Sequence, residues 1–519
     1  MKRNQSWKII YIVIFLLMVT MEALAVSAVI RLDMLPKQYL FALLGILGAF
    51  TLAIGLLLFW QGKTDGRIRK ITAAVLALLL LCGCTAIRTV ASDVINTLKA
   101  TGADDPKAAV RAVYVLDGNR ARKLEDTAGY AYGYVKNYDE SCTMQALEEV
   151  KRQTAGRIST AGYTNAFLMA NALLEGRIDA IVLNAGYLSI LEDTEGFSDF
   201  SGYVRLLSWV EVDETLETEN PAQEEASQSA TEPTAPQFGQ PVTGKVDYGA
   251  LKPFAVYVSG SDSYDSQIVM NSRSDVNILA VVNPLTRQIL LLNTPRDYYV
   301  ENTAGGGKPD KLTHCGIYGT DCSMKTLGNL YGTQIDYYVR INFTGFKKLI
   351  DAMGGITVYS DYAFTAITRT PIAEGENHLT GQQALDFARE RYTLKGGDNE
   401  RGRHQMQVIT AVIEKATSGS TVLSNYSEIM NSVEGMFSMN LPMDMLSNLM
   451  KMQLTDMAKW NIVSYSVTGT NAQKECYSVP GMELSVIEPS PASVSKASRL
   501  IDMIREGELL TEEVINSIV

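Results

Sequence analysis

The chain has 519 residues, with 46 Lys or Arg against 57 Asp or Glu, which gives a formal net charge of −11. This acidic balance excludes the large basic surface that non-specific nucleic-acid binding needs, and 15 Pro with 40 Gly exclude a collagen-like or wholly disordered chain. Because apolar residues crowd into about the first 90 positions, the composition predicts a membrane anchor followed by a long water-exposed part.

Three apolar runs open the chain, at residues 9–30, 39–60 and 71–87. The first two, of about 22 residues each, would measure about 33 Å as helices, enough to cross a hydrocarbon core of about 30 Å. A cleaved signal peptide is the alternative for the first run, but the run is long for that role and another apolar segment follows almost at once. We therefore predict a three-helix membrane anchor over residues 1–92.

The basic residues around these runs predict the orientation of the anchor. They lie before the first run and between the second and third, as Lys2, Arg3, Lys8, Lys63, Arg67, Arg69 and Lys70, whereas the other loop carries only Arg31 and Lys37. Since Lys and Arg are retained on the cytoplasmic side, three crossings would put the chain after about residue 92 outside the membrane. Glu22 lies inside the first run; such a carboxylate is a functional candidate, and we favour a partner within the bundle.

Two segments follow the anchor. Residues 107–212 alternate apolar strands, at 112–116 and 179–183, with helical patterns, which predicts a small α/β accessory domain. No catalytic constellation is apparent there, so ligand binding and simple spacing both remain open. Residues 213–245 are rich in Glu, Pro, Ser, Thr and Gln. Such a composition cannot bury enough apolar surface to fold, and we predict a disordered acidic linker.

Residues 246–519 are predicted to form a central sheet flanked by helices, so the expected fold class is α/β throughout the part that follows the anchor. The predicted strands are 254–258, 276–282, 288–292 and 335–341, with a turn-forming tetrad at 283–286 between the second and third. Asn342 can cap a helix that ends at Gly354 and Gly355, and Thr380 begins another helix with Gln383 at the capping-box position.

Cysteine and histidine are sparse, with six Cys and three His in the chain. Cys315 and Cys322 bracket a short loop that contains glycine, and outside the cytoplasm they could form a disulfide, but the sequence leaves their pairing open. With so few His and no Cys-x-x-Cys pair, a zinc site is not expected.

Charged residues recur at the ends of the predicted elements in this last part. They are Asp262, Arg273, Asp275, Arg296, Arg389, Arg391 and Arg401. Each alone is explained by a local salt bridge or by a cation at a helix C-terminus. Taken together, they indicate a binding site for a diphosphate. Arg binds phosphate oxygens bidentately and stays protonated, so convergent Arg suits such a ligand. Two aspartates could hold Mg²⁺ between the phosphates. Arg401 and Gln405, at i and i+4, would face the same way on a helix.

Five segments in register resemble the LytR–CpsA–Psr family of cell-wall glycopolymer ligases. They are residues 271–275, 293–297, 310–314, 381–391 and 397–405. The three-span anchor and the accessory domain resemble the capsule-type CpsA branch of Gram-positive bacteria. One departure is visible: many members carry Arg immediately before the Gln of the last motif, where this chain has His404, with Arg403 one place earlier. His404 is therefore left out of the predicted site.

The resemblance implies a magnesium-dependent phosphotransferase on the outer membrane face, which moves a glycopolymer from a polyprenyl-pyrophosphate carrier to peptidoglycan through a phosphodiester. By motif match, Asp262 and Asp275 would bind Mg²⁺, and the five arginines would hold the pyrophosphate. Arg273, Asp275, Arg389 and Arg391 would be catalytic, while Arg296, Lys311, Arg401 and Gln405 would bind substrate. The polyprenyl tail would occupy an apolar tunnel beneath the sheet. Its candidate wall residues, each of which could equally be ordinary core, are Phe346, Leu349, Ile350, Met353, Met406, Ile409 and Ile413.

Two other functions remain open at this point. The domain could bind the lipid pyrophosphate as a regulatory module of capsule or cell-wall synthesis without transferring anything, or it could hydrolyse the same lipid as a pyrophosphatase. Two acids beside the Arg cluster favour chemistry over binding alone. No nucleic-acid partner is expected, and the protein is expected to be an integral membrane protein.

Overall fold

A computed structural model describes residues 2–59, 67–101, 108–136, 140–192, 194, 196–213, 251–261, 271–394, 397–418, 429, 432–433 and 435–518. Three long helices are followed by an α/β unit on a five-stranded sheet, called the accessory unit (residues 108–213), and by an α/β unit on a six-stranded sheet, called the large unit (residues 251–518). The predicted fold class is therefore confirmed. Apart from Asp213, the predicted linker 213–245 lies outside the described residues.

The N-terminal helices are α1 (Lys2–Leu32), α2 (Lys37–Phe59) and α3 (Arg67–Thr101). Each contains a stretch that is long and apolar enough to cross a membrane, namely Ile10–Leu32, Lys37–Phe59 and Ile68–Asn96. The three predicted spans are therefore present. The Thr51 hydroxyl of α2 donates to Oε2 of Glu22 at 2.6 Å, so the carboxylate inside α1 has a partner within the bundle, as expected.

The accessory unit consists of one mixed sheet with helices on both faces. Its strands are β1 (Ala108–Leu116), β2 (Ala131–Val135), β3 (Ser159–Tyr163), β4 (Ala180–Leu183) and β5 (Val204–Asp213), and its helices are α4 (Glu140–Gln153), α5 (Ala166–Leu174), α6 (Gly186–Glu192) and α7 (Phe200–Tyr203). The strand order is β3-β2-β4-β1-β5, in which β2 is parallel to both neighbours and β1 is antiparallel to both of its own. Helix α4 packs on one face, and α5 and α6 pack on the other.

The large unit is built on a sheet with the strand order β16-β11-β6-β7-β8-β17. Its strands are β6 (Phe254–Ser261), β7 (Val276–Asn283), β8 (Gln288–Asn293), β9 (Tyr299–Glu301), β10 (Pro309–Lys311), β11 (Tyr337–Asn342), β12 (Ile356–Ser360), β13 (Phe364–Thr365), β14 (Pro371–Ile372), β15 (Gly375–Leu379), β16 (Phe437–Met439), β17 (Asn461–Ser466), β18 (Gly469–Cys476) and β19 (Val479–Pro489). Its helices are α8 (Leu312–Cys315), α9 (Thr320–Tyr331), α10 (Phe343–Ala352), α11 (Gly381–Arg389), α12 (Gly397–Thr417), α13 (Met443–Asp456), α14 (Pro491–Glu506) and α15 (Glu512–Ser517).

Strands β6, β8 and β11 of this sheet run in the same direction, because β7 is antiparallel to both β6 and β8 while β11 is parallel to β6. Their C-terminal ends therefore meet at one edge of the sheet, beside the start of β7. Residues that directly follow or end these strands are brought together there, although they are far apart along the chain.

The two faces of the six-stranded sheet are packed differently. On the face covered by α9 and α14, Leu279, Leu292 and Leu500 are 0% exposed. On the face covered by α12 and α13, Ile278 and Leu291 are equally buried and Met406 of α12 is 3% exposed, but many other apolar side chains of the helices and strand ends remain partly exposed. These include Val258, Ile409, Ile413, Met445 and Leu449. This layer therefore has fewer fully buried side chains than the opposite face.

The accessory unit packs directly against the large unit. Ile317, which follows α8, and Val479, at the start of β19, are buried in the cluster formed with α5 and α6. The Asn184 side chain donates to the carbonyl oxygen of Ile317 at 2.6 Å, and that of Asn165 donates to the carbonyl oxygen of Pro480 at 3.2 Å.

The local signals in the sequence are confirmed. Asn342 accepts the N–H of Gly345 at 2.8 Å at the start of α10, and Thr380 with Gln383 forms a capping box at the start of α11. The strand predicted at 335–341 begins only at Tyr337, since the Asp336 carboxylate accepts the N–H of Ala255 and ends the ladder there.

Close contact between α10 and α11 depends on Gly381. A Cβ at this position would overlap the backbone carbonyl of Lys347 in α10. We predict that Gly381→Ala lowers the free energy of unfolding by about 1–3 kcal/mol, because the two helices must move apart to admit the methyl group. Thermal unfolding of the purified chain would measure the loss. Gly118→Ala is the matched control, since no atom lies within 4 Å of the Cβ it would add; equal midpoints for the two variants would contradict the prediction.

Candidate active site

A pocket of about 260 Å³ lies where β6, β8 and β11 end, against helices α10, α11 and α12. Its lining includes a majority of the predicted site residues, namely Asp275, Arg296, Arg389, Arg391, Arg401 and Gln405. Apolar side chains complete the wall, among them Val258, Phe343, Phe346, Val408 and Ile409. The pocket therefore combines one carboxylate and four guanidinium groups with an apolar wall.

Asp275 precedes β7 and lies against Arg296, which follows β8. Its Oδ1 accepts hydrogen bonds from Nη1 of Arg296 at 3.1 Å and from the hydroxyl of Thr313 at 3.3 Å. Burial raises the pKa of this carboxyl group, but the positive charges of Arg296, Arg273 and Arg401 outweigh burial, so that the pKa lies below its ordinary value. Asp275 is therefore ionised at neutral pH.

Arg273 does not line the pocket; it is 6% exposed and acts on Asp275 through its charge. The segment that carries it is fixed by Arg340 of β11, which is 0% exposed. Arg340 donates to the hydroxyl of Ser259 at 2.8 Å and to both the carbonyl and the hydroxyl of Ser272 at 2.7 and 2.8 Å. Our sequence analysis missed Arg340. The alternation of buried and partly exposed side chains along β11 could have identified it, since Arg340 falls on the buried face, where a cation needs partners.

Lys311 lies outside the pocket lining as well. Its Nζ is 3.1 Å from Oδ1 of Asp297, the residue after Arg296. Burial raises the pKa of Asp297, but the charges of Lys311 and Arg296 outweigh it and lower the pKa below its ordinary value. Lys311 therefore neutralises the neighbour of a pocket arginine, and its predicted contact with substrate stays a prediction.

A buried network holds the segment around Lys311 in place. Oδ1 of Asp310 lies 2.8 Å from Nδ1 of His314, and the hydroxyl of Ser478 donates to the same oxygen at 2.9 Å. All three side chains are at most 3% exposed. Although Ser, His and Asp occur together, the same imidazole nitrogen faces both partners and none of the three lines the pocket, so the arrangement is structural.

The end of α11 aims two arginines at the pocket. The guanidinium carbon of Arg389 lies 4.4 Å from the ring centroid of Phe343, a cation–π contact that orients its side chain. Glu390, 2% exposed, accepts the backbone N–H of Arg391 at 2.9 Å and that of Ile367 at 2.6 Å. These bonds fix the turn that presents Arg391.

Helix α12 contributes Arg401 and Gln405, one turn apart, and both line the pocket as the spacing predicted. Nε2 of Gln405 donates to the carbonyl oxygen of Ala388 at 3.4 Å, which joins α12 to α11. Between them, Gly402 allows α12 to approach β8 closely, since a Cβ there would overlap the side-chain amide of Asn293.

His404 points away from the pocket. Its ring stacks on Phe387 at a centroid distance of 4.0 Å and on Phe364 at 5.4 Å, and its Nδ1 bonds to the carbonyl oxygen of Phe387 at 3.2 Å. Burial lowers the pKa of His404 to about 4, so the ring is neutral at pH 7. Leaving His404 out of the predicted site agrees with this placement.

Arg403 pairs with Glu400 and with Asp361, and it is absent from the pocket lining. Arg403 therefore does not contribute its guanidinium group to the pocket.

The predicted tunnel residues divide between wall and core. Phe346 and Ile409 line the pocket, and Ile413 continues the partly exposed layer next to it. Ile350 and Met353 are 0% and 4% exposed, and they belong to the core.

The second predicted magnesium ligand, Asp262, lies outside the described residues. Among the residues that are described, no three His, Cys, Asp or Glu side chains are grouped so as to hold a metal ion on their own. Protein-bound Mg²⁺ commonly uses one or two carboxylates together with substrate phosphates and water. An ionised Asp275 would supply the carboxylate that the protein contributes to such a site.

Cys315 and Cys322 are free thiols and are 0% and 7% exposed. A hydrogen bond between the two thiols lowers the pKa of Cys322 to about 7 and raises that of Cys315. The two side chains are thus neighbours as thiols and are not joined by a disulfide in this structure.

A family of known proteins matches the part of this chain that carries the pocket. The model described as the LytR_cpsA_psr family matches residues 209–488. The chain is 33% identical over 210 residues to the polyisoprenyl-teichoic acid–peptidoglycan teichoic acid transferase TagU of Bacillus cereus. This match covers 40% of this chain and 67% of that protein. It is 36% identical over 201 residues to TagU of Enterococcus faecalis, covering 38% of this chain and 65% of the relative. A crystal structure of B. subtilis TagV is 25% identical over 50% of this chain and 99% of that one, with a TM-score of 0.41.

Protonation of His404 has a predictable effect on stability. Because the pKa of this residue falls from 6.5 to about 4 on folding, the unfolded chain binds the proton more readily, so stability decreases as the pH falls from about 6.5 to 4. We expect a loss of up to about 3 kcal/mol across that window, measured as the midpoint of chemical unfolding. His404→Phe should remove this part of the pH dependence, whereas the exposed His378→Phe should not; identical slopes in both variants would contradict the assignment.

Proposed function

The chain belongs to the LytR_cpsA_psr family, and we propose that it is a phosphotransferase that moves a glycopolymer from a polyprenyl-pyrophosphate carrier to peptidoglycan. The product would be a phosphodiester between the polymer and a sugar hydroxyl of the wall. The relatives named above are called polyisoprenyl-teichoic acid–peptidoglycan teichoic acid transferases, and the matched part of this chain contains every described residue of the pocket.

One observation carries the proposal: four guanidinium groups and an ionised carboxylate share a pocket with an apolar wall. A polyprenyl pyrophosphate has the same two parts, a doubly charged head and a long hydrocarbon tail. Arginine matches phosphate oxygens with bidentate geometry. The partly exposed layer of Ile409, Ile413, Met445 and Leu449 next to the pocket offers apolar surface for the tail.

The chemistry requires positioning and charge neutralisation more than covalent participation by the protein. The oxygen of the acceptor hydroxyl attacks the phosphorus that bears the polymer, the bond from that phosphorus to the bridging oxygen breaks, and polyprenyl phosphate leaves. Negative charge spreads over the non-bridging oxygens during this step, and Arg296, Arg389, Arg391 and Arg401 are the groups that would stabilise it. The acceptor proton is lost to solvent or to a base that is not assigned.

Magnesium is part of the proposal. Asp275 would hold the ion together with the phosphates, and Asp262 remains its predicted companion. When bound, the ion would neutralise charge on the bridging and non-bridging phosphate oxygens. The low pKa of the Asp275 carboxyl group supports this role, because it keeps a negatively charged ligand available at neutral pH.

We further propose that the reaction takes place on the outer side of the membrane. The distribution of Lys and Arg around the three spans supports this orientation.

Two arginines of α12 allow a matched test of head-group binding. We expect Arg401→Gln to weaken binding of polyprenyl pyrophosphate by about tenfold to a hundredfold, because a charge-assisted contact to phosphate contributes about 1.5–3 kcal/mol. Arg403→Gln removes the same charge two residues away, where it pairs with Glu400 and Asp361. It should bind as the wild type does. Equilibrium binding in detergent micelles measures both, and an equal loss in the two variants would refute the assigned head-group site.

Transfer itself is tested with the full chain, a polyprenyl-pyrophosphate-linked glycan, Mg²⁺ and a peptidoglycan acceptor. We expect a glycan–peptidoglycan product in the wild type. In Asp275→Ala we expect a loss of at least about a hundredfold in rate, with lipid binding retained because the pocket becomes more positive. Mass spectrometry of the acceptor measures the product.

The same experiment separates the remaining functions. Lipid binding in the wild type without any phosphate release or joined product would favour a regulatory binding module. Release of phosphate that does not depend on acceptor would favour a pyrophosphatase.

A further inference from the structure

The large unit rests on one end of the membrane bundle. Nζ of Lys451 in α13 forms an ion pair with Oδ2 of Asp33, directly after α1, at 2.7 Å. The hydroxyl of Tyr39, in the first turn of α2, donates to the carbonyl oxygen of Leu454 at 3.3 Å. Both contacts join α13 to the short connection between the first two spans.

An apolar contact accompanies these polar ones. Met34 after α1, Val94 in the last part of α3 and Met439 at the end of β16 are 7%, 3% and 7% exposed, and they form one cluster. The start of α2 and the ends of α1 and α3 are therefore all on the side that faces the large unit. Asp33, Met34, Val94, Met439 and Lys451 are called the anchor seam below.

The apolar surface runs from the anchor seam to the pocket. Val339 and Leu441 pack both in the anchor-seam cluster and in the layer between the sheet and helices α12 and α13. At the other end, Val258 and Ile409 belong both to that layer and to the pocket lining. Many side chains of this layer are only partly buried, so it presents apolar surface between the anchor seam and the pocket.

We propose that the anchor seam is a docking surface that holds the apolar end of the pocket at the bilayer, so that a lipid-linked substrate enters without its tail passing through water. This inference rests on the proposed function and adds a role for the membrane helices beyond tethering. Its physical basis is the cost of exposing a long hydrocarbon chain to water, which grows with the area exposed. A continuous apolar surface that begins at the membrane helices avoids that cost.

The test compares two substrates in the full chain reconstituted into nanodiscs. One is a pyrophosphate-linked glycan on a long polyprenyl chain embedded in the bilayer, and the other carries the same head group on a short, water-soluble prenyl chain. Lys451→Glu places a second negative charge opposite Asp33, and Met34→Asp puts a charge into the buried cluster. The double variant Asp33→Lys with Lys451→Glu restores the ion pair in reverse.

We expect Lys451→Glu to lose roughly threefold to tenfold in rate on the embedded substrate, as for an ion pair converted into a like-charge pair. Met34→Asp should lose at least as much, because a charge in an apolar cluster is costly, and both variants should keep their rate on the soluble substrate. The double variant should recover the embedded-substrate rate. The control is Lys474→Glu, which breaks a 2.9 Å ion pair with Glu488 on the β18–β19 hairpin and should leave both rates unchanged. Hydrogen exchange of the α13 amides should quicken in Lys451→Glu and Met34→Asp.

An equal loss on both substrates, or no change in their ratio, would overturn the docking role. If the wild type turned over neither substrate, the proposed chemistry would fall, and the hydrogen-exchange result would then decide alone whether the anchor seam forms. Unchanged hydrogen exchange in α13 would show that the anchor seam does not form.

Discussion

Arginine cannot give up its proton inside a protein, and this constraint governs the site. Guanidinium groups that are brought together repel one another unless anions balance them. In the large unit, Asp275 balances Arg273, Arg296 and Arg401, while Asp297 balances Lys311 and Arg296. The described pocket lining contains four arginines and one aspartate, a set of charges that suits an anionic ligand. The strand ends, the caps and the glycines around the pocket serve to keep these charges at fixed positions.

Much of this arrangement could be predicted from sequence because its signals are local. The capping pairs at Asn342 and Thr380 are readable within four residues, and they fix where α10 and α11 begin. The spacing of Arg401 and Gln405 determines that they share a helix face. Apolar periodicity gave the spans and the central strands. The family motifs supplied what spacing could not, namely that segments more than a hundred residues apart meet at one edge of the sheet.

Other features depend on tertiary contacts that no local pattern reports. Lys311 forms an ion pair with Asp297, a partner that the sequence pattern does not report, and its contact with substrate stays a prediction. Arg403 and His404 are adjacent on one helix, yet one pairs with acids and the other packs against two aromatic rings. Arg340 had no motif, and only the strand alternation hinted that its charge is buried beneath the Arg273 segment. The side of the helix on which each residue lies follows from the sequence; its partners there do not.

The unequal packing of the two sheet faces has a consequence for how rigid the molecule is. One side is a filled core, whereas the opposite layer leaves hydrocarbon side chains within reach of solvent. Helices α12 and α13 are therefore held to the sheet by fewer fully buried side chains than α9 and α14 are, and that side of the large unit is the less rigid one.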